Sequence, residues 1–275
     1  MNTSTPPKRS PLIFFLLVFV FSIPFWLIGA LAERGLPVPM NLPVSALSFV
    51  CPTIAALLLV YRENKVNGVK ELLKRTFDYK RIRKKIWYLP IFFLLPAIYL
   101  LSYAIMRLIG KPLPEPHIQF LMIPILFVGF FIAGACEELG WMGYSVDPMQ
   151  DRWSALKTSV ILGLVWGIWH FIPDIQAHHS LTWIAWQHGI RAVALRILFV
   201  WLYNNTGKSV FAAILFHDMD NVSWSLFPNN GSHYDPAING TLIVIAAVVV
   251  IFLWGPKTLA RYRYARSGSK ANIIM

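Results

Sequence analysis

The chain has 275 residues, of which 56% are hydrophobic and 15% aromatic against only 14% charged. These proportions exclude an ordinary water-soluble domain, in which charged residues make up roughly a quarter. The net charge of +12 would suit nucleic acid only if the basic residues shared a face. Instead they gather in alternate connections between apolar runs, the pattern of a membrane protein, so no nucleic-acid partner is expected.

Residues 1–10 are polar, contain Pro6 and Pro7, and are expected to be disordered. The first apolar run, 11–32, follows Lys8 and Arg9 as in a signal peptide, but its length and the lack of a small-residue cleavage site predict a retained helix. Further runs long enough for ~30 Å of hydrocarbon lie at 42–61, 87–109, 118–144, 155–172, 183–203, 209–226 and 238–254. They predict an all-α membrane protein of about eight transmembrane helices, forming one membrane domain over 11–256. Phe49, Pro52 and Thr53 predict a kink in the second span. Between the second and third runs, ten Lys and Arg crowd the stretch from Arg62 to Lys85. There Val69, Leu72, Leu73 and Phe77 recur at helical spacing beneath Lys70, Lys74 and Arg75, which predicts an amphipathic segment at 62–86 lying on the cytoplasmic leaflet. Asp147-Pro148 is expected to end the fourth helix, and Asn204 to Lys208 reads as a tight polar turn. Lys8, Arg9, Arg152, Lys157, Lys208 and the basic tail 257–275 fall on one side, while Arg34 and Lys111 fall on the other. Eight spans with both termini cytoplasmic satisfy this asymmetry, in the plasma membrane and with anionic lipid headgroups as neighbours. Cys51 and Cys136 lie inside spans, so no disulfide is expected.

Ionisable groups inside hydrocarbon are expensive and mark candidate sites. Glu137 and Glu138 sit in the fourth run, His170 in the fifth, Arg196 in the sixth, and His217 and Asn221 in the seventh. Glu137 and His170 are 33 residues apart, and the middle of that interval falls in the polar link from Asp147 to Ser154. An antiparallel hairpin turning there brings both side chains to one depth. The turn near Thr206 is about ten residues from both Arg196 and His217, so these two share a level as well. His217 and Asn221, spaced i, i+4, project from one helix face. The set Glu137, Glu138, His170, His217 and Asn221 is thus expected to converge on one cavity, with its chemistry inside the bilayer.

Three segments occur in order: Glu137-Glu138-Leu139-Gly140-Trp141-Met142-Gly143-Tyr144, then Trp166-Gly167-Ile168-Trp169-His170, then Phe216-His217-Asp218-Met219-Asp220-Asn221. Over a core at about 118–225 they resemble the CPBP family, the CAAX proteases and bacteriocin-processing enzymes also called Abi proteins. The resemblance implies an eight-helix intramembrane endopeptidase that cuts a peptide or protein substrate near the cytoplasmic leaflet. It implies that Glu137 and His170 activate the attacking water and that His217 and Asn221 stabilise the oxyanion. The chemistry asks for such groups, since a carboxylate can take a proton from water and polarised donors can meet a tetrahedral intermediate. Two routes stay open: Glu137, His170 and His217 could hold a zinc ion or another divalent metal, or the same residues could work without one. A non-catalytic immunity or scaffold protein of the same fold is the alternative reading. A cation-coupled transporter is a third, but it predicts an inverted repeat, and none is evident in the sequence.

The family commonly carries Arg five residues after its first Glu, where this chain has Met142. Arg191 and Arg196 on the sixth helix are the candidates to supply the missing cation, with Arg196, mid-span, preferred. Trp141, Trp166 and Trp169 are expected to pack or to line the cavity, Trp166 supporting the site. His178, His179, His188 and His233 are expected at the surface, and Asp218 or Asp220 is expected to orient His217.

Overall fold

The computed structural model describes residues 9–32, 35–36, 42–231 and 233–260. Most of the N-terminal segment and of the basic tail, residues 1–8 and 261–275, and also Arg34, lie outside the described residues. Among the described residues every regular element is helical and no strand occurs. The bundle consists of α1 (Pro11–Leu31), α2 (Cys51–Lys74), α3 (Tyr88–Leu108), α4 (Met122–Gln150), α5 (Ala155–Gln176), α6 (181–205), α7 (Val210–Leu226) and α8 (Pro236–Trp254). A 3-10 helix, Val44–Val50, leads into α2, where Pro52 falls in the first turn, a position that needs no N–H from it.

Helices α1 to α5 and α8 are long and apolar enough to cross a membrane. The other two are more polar because they occupy the middle. Thirteen of the 17 residues of α7 are buried, against four of the 21 in α1, whose Leu12, Leu16, Leu27 and Leu31 face outward. Helices α3 and α4 cover α7, and α5 and α8 cover α6. Arg191, Arg196, His217, Asp218 and Asp220 are all buried there, so the sheath of apolar helices keeps these charges away from lipid.

The fourth helix does not stop at Asp147-Pro148. It widens into a π-helical turn, Trp141–Ser145, and continues to Gln150. A proline inside a helix normally leaves a carbonyl without its N–H partner, but the looser turn lets side chains take over. Ser145 Oγ donates to the Trp141 carbonyl at 2.6 Å, and Arg75 Nη1 donates to that of Gly143 at 2.8 Å. A second π-helical stretch, Ala185–Arg191, lies in the first half of α6.

The basic stretch after the second span is continuous with α2, which bends at Asn64 and Lys65, the latter with φ of 54°. Short 3-10 turns at Arg75–Phe77, Tyr79–Arg81 and Lys85–Trp87 follow. Leu72 is buried in the core while Leu73 and Phe77 are exposed. The end of this stretch is fastened to the central helices. Arg75 Nη2 donates to the Tyr203 hydroxyl at 2.8 Å. The Asp78 carboxylate accepts from Ser209 Oγ at 2.6 Å and from the backbone N–H groups of Val210 and Phe211 at 3.3 and 3.1 Å. It therefore satisfies donors at the start of α7 that have no intrahelical partner.

Two glycines set the helix spacing around the centre. A Cβ on Gly140 of α4 would lie 2.5 Å from the Pro52 carbonyl oxygen, and one on Gly167 of α5 would lie 1.9 Å from that of His188 in α6. Gly167→Ala is therefore expected to push α5 from α6 and to destabilise the protein by about 1–3 kcal/mol. Gly129→Ala, where an added Cβ meets nothing within 4 Å, is expected to be silent. Thermal unfolding of the two purified variants in detergent checks this, and equal melting temperatures would contradict it.

Candidate active site

Glu137 and Glu138 end the regular part of α4, immediately before its π-turn. As neighbours on a helix they point in different directions, and each meets a different partner. Glu137 is 6% exposed and turns to α5, where its Oε2 accepts from Trp166 Nε1 at 2.8 Å. Glu138 is wholly buried and turns to α6 and α7. Its Oε2 accepts from Arg196 Nη1 at 2.7 Å, and its Oε1 faces His217 Nδ1 at 2.8 Å.

Arg196 has no solvent exposure, and its Nε and Nη2 have no hydrogen-bond partner among the described residues. Its guanidinium lies 4.2 Å above the Trp166 ring centroid and 4.7 Å from that of Phe199, so aromatic faces stand in for the missing acceptors. Trp166 is thereby the hub of the site. Its face carries the cation, its N–H holds Glu137, and its edges meet His170 and His217 with centroids at 4.7 and 6.0 Å.

His170 projects from α5 one turn beyond Trp166, and its Nδ1 lies 2.8 Å from the Trp166 carbonyl oxygen. A carbonyl only accepts, so Nδ1 carries the hydrogen and Nε2 of the neutral ring keeps its lone pair. His217, on α7, offers Nδ1 to the Glu138 carboxylate, and its Nε2 has no hydrogen-bond partner among the described residues. Asn221, one turn further along α7, is half-buried and makes no side-chain hydrogen bond among the described residues.

A catalytic zinc site takes three converging protein ligand atoms. Among the described residues the group whose ligand atoms lie within 4.8 Å of one another is Glu137, Glu138 and His217; the expected trio of Glu137, His170 and His217 does not form. Both oxygens of Glu138 are already engaged, one by a guanidinium, so a divalent cation on that carboxylate would sit against Arg196. The arrangement as it stands does not fit a three-ligand zinc site.

Several expected roles go to other residues. His217 is oriented by Glu138 and by neither neighbouring aspartate. Asp220 binds Arg191 and the Tyr99 hydroxyl, while both oxygens of Asp218 have no hydrogen-bond partner among the described residues. Asp218, next in sequence to His217, points elsewhere around the helix, and Asp220, at i+3, is held by Arg191 and Tyr99 instead. Arg191 is taken up in that second cluster with Asn239 at 2.9 Å and does not reach the glutamates. His188, expected at the surface, is buried and hydrogen-bonded to Asp174. The available signal was Asp174, which follows His170 at i+4 on the same face of α5.

The family model "Type II CAAX prenyl endopeptidase Rce1-like" matches residues 119–223, the stretch that contains every residue of this site. The chain is also 28% identical over 269 residues to "CAAX prenyl protease 2" of Methanococcus maripaludis, an alignment covering 89% of this chain and 94% of that protein. Over the stretch that holds the site the chain is therefore similar to the Rce1-like CAAX prenyl endopeptidases. It is a multi-pass integral membrane protein. The cation beside Glu138 comes from α6, through Arg196, while Met142 on the glutamates' own helix is buried in the core.

Removing one partner of a buried pair leaves the other as an uncompensated charge, at roughly 3–5 kcal/mol. Arg196→Met is therefore expected to destabilise strongly, and Glu138→Gln added to Arg196→Met is expected to recover part of the loss. Melting temperatures of the single and double variants check this; an Arg196→Met protein as stable as wild type would contradict it.

Proposed function

We propose that the protein is an intramembrane endopeptidase in which Glu137 activates water and His217 and Asn221 receive the oxyanion, without a step through a metal. The observation that carries this reading is the set of atoms left free after every partner among the described residues is assigned. Glu137 Oε1, His170 Nε2 and His217 Nε2 come from three helices, gathered around one tryptophan in a buried place. Glu137 and His217 have ligand atoms within 4.8 Å, and His170 packs edge to face on the same Trp166 that donates to Glu137.

The reaction follows from these groups. A water held by Glu137 and by the His170 Nε2 lone pair attacks the scissile carbonyl carbon as Glu137 takes its proton. The carbonyl oxygen becomes negative and meets the Asn221 amide and His217 Nε2–H. His217 has a hydrogen on both nitrogens when it is the imidazolium, a charge that Glu138 balances through Nδ1. Two carboxylates, one guanidinium and one imidazolium then sum to zero in the buried cluster. As the C–N bond breaks, Glu137 returns its proton to the leaving amine, giving a carboxylic acid and a free amine.

The relative's name suggests the first substrate to assay, a peptide with a prenylated cysteine near its C-terminus. An apolar cavity of about 570 Å³ between α3, α4 and α7, lined by Phe77, Phe92, Phe127, Phe131 and Phe211, offers room for a hydrocarbon chain. It adjoins the basic end of α2, in keeping with cleavage near the cytoplasmic leaflet.

Glu137→Gln and His170→Ala are each expected to abolish cleavage of a farnesylated peptide by detergent-purified protein, with folding retained. His217→Ala and Asn221→Ala are expected to lower kcat by roughly 10²–10³ with little change in KM, and a chelator such as 1,10-phenanthroline is expected to leave activity intact. Cleavage by Glu137→Gln within twofold of wild type would sink the mechanism, and inhibition reversed by added zinc would sink its metal-free form.

Both termini and the basic end of α2 are placed on the cytoplasmic side in this reading, and the loop before α8 on the other. Cysteines introduced at Lys70 and at Asp235 are expected to react with a membrane-impermeant thiol reagent from opposite sides. Labelling of both from one side would overturn this orientation.

A further inference from the structure

A second buried pair adjoins the site, and the reaction drawn above does not use it. His188, in the π-helical stretch of α6, donates through Nδ1 to Asp174 of α5, and both residues are buried. The His188 ring lies face to face with that of His170, centroids 4.5 Å apart and planes within 12° of parallel. His170 touches Trp166 and Trp169 only edge to face, with both centroids at 4.7 Å. His188 therefore supplies its flat contact.

The geometry has a consequence for His170. Its Nδ1 bond to the Trp166 carbonyl sets which nitrogen carries the hydrogen, but one hydrogen bond leaves the ring free to turn about it. A parallel ring against one face removes that freedom, and Asp174 holds the parallel ring in place. Gly167, with no Cβ to meet the His188 carbonyl, is what lets α6 approach closely enough. Packing alone does not call for this arrangement, because an apolar pair of similar shape would avoid desolvating a carboxylate.

We propose that His188, anchored by Asp174, is a positioning residue for His170, holding its imidazole in the plane and tautomer that turn Nε2 to the attacking water. The proposal rests on the hydrolytic reading above, in which His170 binds that water. Partners that orient metal-bound histidines are worth about 10–100-fold in activity, and an effect of that size is expected for the partner of a histidine that orients a water.

The test has two arms. In the first, kcat and KM for a farnesylated peptide are measured on the full-length protein in detergent. His188→Ala and Asp174→Leu are expected to lower kcat by about 10–100-fold with KM unchanged, whereas Asp174→Asn, which keeps an acceptor for His188 Nδ1–H, is expected to stay near wild type. In the second arm, ¹⁵N-histidine spectra report the His170 ring, whose signal is identified by its loss in His170→Ala. A single Nδ1-protonated tautomer is expected in wild type and in Asp174→Asn, and a mixture in His188→Ala. Should His188→Ala not fold, His188→Asn, which removes the ring but keeps a donor for Asp174, takes its place in both arms. A folded variant without the ring that keeps the wild-type His170 signal and, where the peptide is cleaved, the wild-type kcat overturns the proposal. If wild type cleaves nothing, the protease reading fails, and the spectra still decide the role of His188.

Discussion

A guanidinium with no exposure to solvent fixes the arrangement of the centre. Arg196 is held by one hydrogen bond to Glu138 and by the faces of Trp166 and Phe199, and desolvating such a charge is tolerable only where the pairing geometry is good. Glu138 must then stand where α4, α6 and α7 meet, and its second oxygen is left for His217. Trp166 must lie flat beneath the cation, which turns its indole N–H to Glu137. One ion pair thus positions both glutamates, a histidine and the tryptophan between them, so that the site is set by helices packing in a single register.

That register is possible because the polar helices are sheathed and the close contacts fall on small residues. Gly134 of α4 leaves 3.5 Å between a notional Cβ and His217 Cβ, the separation of ordinary contact, so α4 and α7 approach directly beside the site. Both π-helical stretches adjoin the site, one following the glutamates and one carrying His188 and Arg191. A π-turn adds a residue to the helix and changes the direction of the side chains that follow it. Arg75 and Asp78 bind the freed carbonyl of Gly143 and the start of α7, so the basic stretch after α2 is built into the frame of the site.

The spans were legible in the sequence because hydrocarbon thickness and composition constrain them independently of tertiary contacts. The level of Arg196 was also legible, since counting from a hairpin turn gives depth without knowledge of packing. Pro148 misled because the rule against helical proline assumes α-helical register, and a π-turn with side-chain donors relaxes it. His188 was placed at the surface because it lies near the end of an apolar run, but α6 begins earlier, at Leu181, and carries His188 into the bundle. The partner of His217 was sought among its neighbours in sequence, whereas Glu138 comes from another helix, and no local pattern indicates which of two adjacent carboxylates points there.

The two histidines of the proposed reaction illustrate how a partner can assign a role. Both use Nδ1 for a structural bond and leave Nε2 free, so their rings present the same atom to a substrate. Nδ1 of His170 meets a neutral backbone carbonyl, which gives no compensation for a charge on the ring and so suits the neutral form, with an accepting Nε2. Nδ1 of His217 meets a carboxylate, which balances an imidazolium and so suits a donating Nε2. An acceptor belongs beside the water that loses a proton, and a donor belongs beside the oxygen that gains charge. Exchanging the carbonyl and the carboxylate would reverse these preferences while leaving the sequence motif of glutamate and histidines unchanged. In the proposed reaction the direction of proton transfer therefore depends on what lies behind each ring, and Arg196, by holding Glu138, helps to set it.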